Sequence, residues 1–394
     1  MNSRRSGVLA AVAVVLLAGA APAEAAPPAS RRFTAATDAS RYVAVTPRRV
    51  LDTRTSGGAV GPGATVTVDL SGQTPAGAVA VVLNVTGTAP TAVTYVTVYP
   101  SNEPLPEASN LNLAPGQTRA NAATVALSPD RHVTLYNRAG DTHLVADLAG
   151  YYATDQGSGF TAQAPVRVLD TRTGPPVGPG GVVDVNLHLT ASGLPTAAVL
   201  NVTAVGATTN TVVTAYPTGQ PVPSTSNLNL GPNEAVPNQV TVALNANRRV
   251  SLFNKNGNVH LVADLVGYYR TGLGSEFVAV SPIRAMDTRV DGSGPRPGAS
   301  GISLTGWGPD IDAVAANLTG TDPTTLQYVV AWPGGSPRPT ASTLNLARGQ
   351  TAANAVTVGI GYDPARADHT VNFLNSGGHV DLIFDVAGFF VTAG

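Results

Sequence analysis

Short apolar runs separated by turn residues recur along the chain. ATVTVDL (64–70), AVAVVLNVT (78–86), TYVTVYP (94–100), NAATVAL (121–127), HVTLYN (132–137) and THLVADLAGYY (142–152) are rich in Val, Thr and Tyr and bounded by Gly, Pro or Asn. This pattern predicts strands. Past the first residues no window keeps a period of 3.6, so no helix is expected. LYNRAGDTHL, LFNKNGNVHL and FLNSGGHVDL each set an Asn before a Gly (Asn137 and Gly140, Asn254 and Gly257, Asn375 and Gly378). They predict a closing hairpin whose glycine takes the left-handed conformation.

The pattern occurs three times. An aromatic residue opens each copy (Tyr42, Phe160, Phe277), followed by RVLDTR (Arg49–Arg54), RVLDTR (Arg167–Arg172) or RAMDTR (Arg284–Arg289). LNVT, LNVT and ANLT follow, ending at Thr86, Thr203 and Thr319. TVYP, TAYP and VAWP end at Pro100, Pro217 and Pro333, and SNLNL, SNLNL and STLNL begin at Ser109, Ser226 and Ser342. VADLAGYY, VADLVGYY and IFDVAGFF close the copies. A period this long is a whole domain, not a propeller blade or a solenoid repeat. The expected fold is all-β: three tandem antiparallel β-sandwich domains, jelly-roll or Greek-key-like, of about 110 residues and about eight strands each. They span 42–152, 160–269 and 277–394. Short Gly/Ser-rich linkers suggest beads of limited reach.

Residues 1–25 predict a secretory signal peptide: Arg4 and Arg5, an apolar stretch, then small residues before a cut after Ala25. Residues 26–41 read as a flexible leader. No second apolar span or sorting tail follows, so the expectation is a protein released or held non-covalently at the cell surface. The chain contains no cysteine, which excludes disulfides, thiolate metal sites and cysteine nucleophiles. Its formal net charge is -1 with no basic block beyond the N-terminus, which argues against nucleic acid or an anionic membrane as partner.

The recurring charged residues admit two readings, an active site or a structural tie. On a regular strand Asp52 and Arg54 share one face, as do Asp170 with Arg172 and Asp287 with Arg289. Asp147, Asp264 and Asp385 lie inside apolar closing strands, where a carboxylate requires a partner. The economical expectation is that Arg54, Arg172 and Arg289 each contact a carboxylate of their own unit, tying its first strand to its last. Recurring Asn84, Asn201 and Asn317, Asn112, Asn229 and Asn345, and Asn121, Asn238 and Asn354 are expected to bond loop backbone at sandwich corners. The NVT and NLT sequons lie within predicted strands and are read as incidental.

Catalysis is not expected. Glu234 aligns with Gln117 and Gln350, and His143 and His260 align with Asp381, so no acid–base pair recurs. There is no Ser-His-Asp spacing, HExxH or phosphate loop, and no acidic loop cluster of the kind calcium needs. No cofactor or metal is assigned. The feature that suggests recognition is aromatic: Tyr95 with Tyr99, Tyr216, and Tyr328 with Trp332 share a face of one strand, a candidate ladder for sugar rings. The alternative is that these rings are packed in the core.

The series RVLDTR … LNVT … TVYP … SNLNL … VTLYN … VADLAGYY resembles tandem repeats of secreted actinobacterial proteins, over essentially the whole mature chain. The resemblance implies an extracellular β-rich accessory module and brings no assigned activity or catalytic residue. The expected function is a secreted, non-catalytic array with carbohydrate-binding-like modules, associated with polysaccharide or cell-wall polymer. The alternatives are a structural or protein-interaction protein, associating with itself or with other surface proteins, and, remotely, a glycan-active hydrolase.

Overall fold

The computed structural model describes residues 39–189 and 193–392. The signal peptide and the leader up to residue 38 lie outside them. Among the described residues there is no α-helix, and the one helical element is a 3-10 turn at Thr171–Thr173.

Repeat one comprises eight strands: β1 (Arg41–Asp52), β2 (Thr65–Asp69), β3 (Ala78–Thr88), β4 (Thr94–Pro100), β5 (Leu111–Leu113), β6 (Thr118–Ala126), β7 (His132–Asn137) and β8 (His143–Ala153). They form two antiparallel sheets, an inner one in the order β1-β8-β3-β6 and an outer one in the order β2-β7-β4-β5. Consecutive strands, β4 and β5 excepted, cross between the sheets in the double Greek key of a jelly roll. Repeat two has the same order in both sheets. Repeat three adds two short strands, Arg296–Pro297 and Gly361–Asp363, the second within its longer GYDPARADHT insertion.

Three sandwich cores follow from strand alternation. In β3 the residues Val81, Leu83 and Val85 point between the sheets of repeat one. Ala80 and Val82, on the opposite face, are buried as well. Their burial explains why AVAVVLNVT reads as an almost unbroken apolar run: both faces are covered.

The second face is covered by the other repeats. A fourth core gathers Tyr42, Ala80, Val82 and Tyr152 of repeat one with Phe160, Ala197, Val199, Val266 and Tyr269 of repeat two and Phe277, Ala313, Ala315 and Phe390 of repeat three. Its aromatic rings meet in rotation. Tyr42 lies 4.3 Å from Tyr269, Phe160 4.3 Å from Phe390, and Phe277 4.1 Å from Tyr152. The inner sheets of repeats one and two also join through Tyr42 and Ser158 into one eight-stranded sheet. The repeats are therefore not beads on linkers. They surround a pseudo-threefold axis as one body, because each inner sheet has an apolar outer face that only a neighbour can bury.

The glycines of AGYY, VGYY and AGFF belong to this packing. A methyl group on Gly150, Gly267 or Gly388 would overlap the ring of Tyr42, Phe160 or Phe277 respectively. The hairpin asparagines do more than open a turn. Asn137, with no exposed surface, donates to the carbonyls of Val60, Gly61 and Gly140 at 2.8, 3.1 and 2.7 Å. Asn254 repeats this set on Val177, Gly178 and Gly257. Gly140, Gly257 and Gly378 have φ of 57°, 54° and 48°, as that turn requires.

Candidate functional site

In the RVLDTR motif the first arginine, not the second, joins the first strand to the last. Arg49 faces Asp147 across the β1–β8 ladder. Its Nε donates to Oδ1 at 2.9 Å and its Nη2 to Oδ2 at 3.3 Å, while Nη1 reaches Asp52 at 3.0 Å. Arg167 does the same with Asp264 (2.5 and 3.4 Å) and Asp170 (2.8 Å). Arg284 holds Asp385 (2.9 and 3.3 Å) and Asp287 (3.2 Å). The expected partners of Arg54, Arg172 and Arg289 are thereby corrected. Each forks onto the aspartate two residues before it, at 2.8 and 2.6 Å in the case of Arg54 on Asp52. A register shift between Arg49 and Leu51 is the reason. Strict alternation would put both on the core face, whereas the bulge turns the guanidinium away from it.

The charges follow the geometry. Asp147, Asp264 and Asp385 have side chains 3%, 1% and 3% exposed. Burial pushes their carboxyls above the usual range, opposed by the hydrogen bond from Arg49, Arg167 or Arg284. Asp52, Asp170 and Asp287 are held below it, chiefly by the hydrogen bonds from Arg54, Arg172 and Arg289. Every oxygen of this cluster faces a guanidinium of its own repeat, which is the arrangement of a tie. The exchange of His for Asp in the closing strand is similarly local. His143 and His260 lie 3.3 and 3.4 Å from the hydroxyls of Thr53 and Thr171, and Asp381 accepts from Thr288 at 2.7 Å.

Asn121, Asn238 and Asn354 donate to loop carbonyls of their own repeat, those of Asn110, Asn227 and Thr343, as expected. Asn112, Asn229 and Asn345 instead meet the hydroxyls of Ser109, Ser226 and Ser342, and Asn84, Asn201 and Asn317 reach a loop of the next repeat. Asn84 Nδ2 donates to Ser226 O at 2.6 Å, Asn201 to Ser342 O at 2.6 Å, and Asn317 to Ser109 O at 2.7 Å. Asn238, Asn354 and Asn121 then donate to the side-chain oxygens of Asn84, Asn201 and Asn317 at 2.8, 2.8 and 2.9 Å. They also accept backbone N–H groups of Ala122, Gln239 and Ala355. The LNVT and SNLNL landmarks are thus two halves of a clasp used three times around the axis. Glu234, the acid without counterparts, receives Arg119 Nη2 from repeat one at 2.6 Å.

The aromatic ladder divides. Tyr99 and Tyr216 are buried, 8% and 5% exposed, which removes them as glycan contacts. Between Tyr95 and Tyr99 lies Thr97, fully buried, whose hydroxyl donates to Ala108 O in the β4–β5 loop. That loop folds back along β4 and covers its distal half. Trp332 is half-buried, and its indole N–H is engaged by Ser336 O at 3.1 Å. Tyr328 is 42% exposed, and Tyr95 is half-buried with its ring 6.3 Å from that of Tyr136. Tyr95 pairs across the ladder with Asn112, and Tyr328 with Asn345. Tyr136 carried no distinguishing signal in the sequence, since repeats two and three place Phe253 and Leu374 there. Repeat two has Val212 facing Asn229 at the equivalent site. What survives is an outward aromatic–amide face on repeats one and three.

Comparisons with known proteins add little. No protein-family model matches the chain, and no curated protein matches it. Among solved structures, one described as the atomic structure of Sulfolobus Turreted Icosahedral Virus is similar at 11% identity, covering 90% of this chain and 92% of that one, with a TM-score of 0.21. Another, described as the triple jelly roll fold and turret assembly in an archaeal virus, shows 9% identity over the same shares and a TM-score of 0.21. Such scores carry nothing about role. The jelly roll here rests on the strand order of the chain itself.

Proposed function

We propose that the chain is a secreted, non-catalytic body that associates with polysaccharide or cell-wall polymer through the outward faces of repeats one and three. The observation that carries this reading is the matched placement of Tyr95 beside Asn112 and Tyr328 beside Asn345 on the same part of two jelly rolls. A flat ring with an amide next to it suits a sugar, which offers an apolar C–H face and hydroxyls together. Two such faces on one rigid body act with high effective concentration, so weak single contacts suffice for retention. The recurring carboxylates are consumed by arginines, which supports a role without chemistry. Export is supported by the basic–apolar–small order of residues 1–25.

Retention on insoluble polysaccharides, including purified cell wall, tests this. Tyr95→Ala and Tyr328→Ala should each weaken retention by about tenfold or more through lost avidity, and the double substitution should abolish it. Undiminished retention of the double variant would overturn the reading. A second reading, a protein-binding face, is favoured by Val93 and Leu326, 74% and 81% exposed at the same end of these strands. It predicts capture that depends on Leu326 and persists without polysaccharide.

A further inference from the structure

The three boundaries between repeats use one set of contacts, but the chain crosses only two of them. Repeat one continues into two through residues 153–159, and two into three through residues 270–276. No peptide spans the boundary between three and one, yet it is closed by the same clasp. Asn317 donates to Ser109 O at 2.7 Å, Asn121 to Asn317 Oδ1 at 2.9 Å, and Ala355 N to Asn121 Oδ1 at 2.8 Å. Tyr152 stacks on Phe277 at 4.1 Å. The remaining contacts of this boundary follow those between repeats two and three, save the pair of Arg41 with Glu276 at 3.0 Å. Arg284 Nη2 donates to Glu107 O at 2.6 Å, as Arg167 Nη2 does to Thr340 O. Ser40 and Phe277 exchange backbone hydrogen bonds of 2.9 and 2.7 Å, as Ser275 and Phe160 also do.

We propose that each repeat is a self-recognition module: its inner-sheet face and its β4–β5 loop bind another jelly roll of the same repeat type without any covalent connection. The partner this surface fits is a further copy of the repeat, from the same chain or another one. The specificity lies in the asparagines. Asn317 and Asn121 are buried, 6% and 1% exposed. Asn121 donates to Asn317 Oδ1, Asn317 donates to Ser109 O, and Asn121 Oδ1 accepts from Ala355 N–H, all across the boundary. A surface lacking the matching amide and loop carbonyl would leave these groups buried without partners, which is costly, so unlike jelly rolls are rejected. The linkers then act only by raising local concentration.

The test uses the folded full chain with a protease cleavage sequence inserted after Gly272, which is exposed and has open space around it. After cleavage, repeat three should co-elute with repeats one and two on size exclusion at about micromolar concentration. Labelled repeat three should also exchange into unlabelled cleaved protein. Asn121→Ala with Asn317→Ala should speed its release by about tenfold or more. The same variant left uncut, checked by near-UV circular dichroism, reports whether the jelly rolls remain folded. Prompt loss of repeat three from the cleaved wild type, or release unchanged by the double substitution in a folded variant, would overturn the proposal.

Discussion

Replacing Arg167 by Met separates the two arginines of the motif. The substitution removes the guanidinium that holds Asp264 and Asp170 and keeps most of the apolar stem. Asp264 is then a carboxylate 1% exposed whose salt-bridge partner has gone. Removing one member of a buried pair costs about 3–5 kcal/mol. Because Arg167 itself is 22% exposed, water reaches the site and the lower end, about 3 kcal/mol, is expected. For a body of this size unfolding as one unit, that corresponds to a fall in Tm of about 4 °C. Arg172→Ala removes a pair whose arginine is 51% exposed and should cost no more than about 1 kcal/mol. Urea unfolding of both variants at neutral pH supplies the comparison.

The pH dependence adds a second check on the same variant. Burial already raises the Asp264 carboxyl in the folded state, and loss of Arg167 raises it further. The folded state then binds this proton more tightly than the unfolded one. The deficit of Arg167→Met is full above that raised value and shrinks as the pH falls through it. The reasoning fails if Arg172→Ala costs as much as Arg167→Met, or if the deficit of Arg167→Met grows in acid.

Gly267→Ala should destabilise by about 1–3 kcal/mol, since the added methyl drives Phe160 out of the central cluster. Gly174→Ala, where the new methyl meets nothing and φ is -145°, should be near neutral in the same calorimetric scan. Asp52, Asp170 and Asp287 are depressed in the folded state by their arginines, so the stability they contribute is present above the unfolded carboxyl value, about 3.9, and lost below it. Replacing Arg54, Arg172 and Arg289 together by Gln should flatten the loss of stability in acid, followed as urea midpoints from neutral pH downward.

Strand content and sandwich class were legible because Val/Thr-rich runs and Asn…Gly turns encode local structure. Self-comparison also exposed every polar landmark, as it needs no knowledge of distance. Their partners were harder to read. Strict alternation assigned the tie to Arg54, and the bulge beyond Arg49 that reverses this leaves no compositional trace except that the first arginine recurs. Asn84 and Ser226 are 142 residues apart, and nothing local indicates that one repeat clasps the loop of the next. A sign was nonetheless present: AVAVVLNVT carries apolar residues on both faces, more than a free-standing sandwich needs. Tyr99 and Tyr216 were misread because alternation gives a face but not what covers it, and the β4–β5 loop does.

Three jelly rolls around an axis could equally be three separate chains, and the difference has an evolutionary consequence. In an assembly of identical subunits every substitution is imposed at all three positions at once. Here a change is made at one address. Arg119 meets Glu234 at the first boundary, while the matching positions hold Val236 with Gln350 and Ala352 with Gln117. Near the axis Tyr152 and Tyr269 share a 2.6 Å bond between hydroxyls, and repeat three supplies Phe390 without one. Fusion into a single chain therefore frees the outward faces to diverge, as Tyr95, Val212 and Tyr328 have done, while the clasp residues that all three boundaries share stay the same.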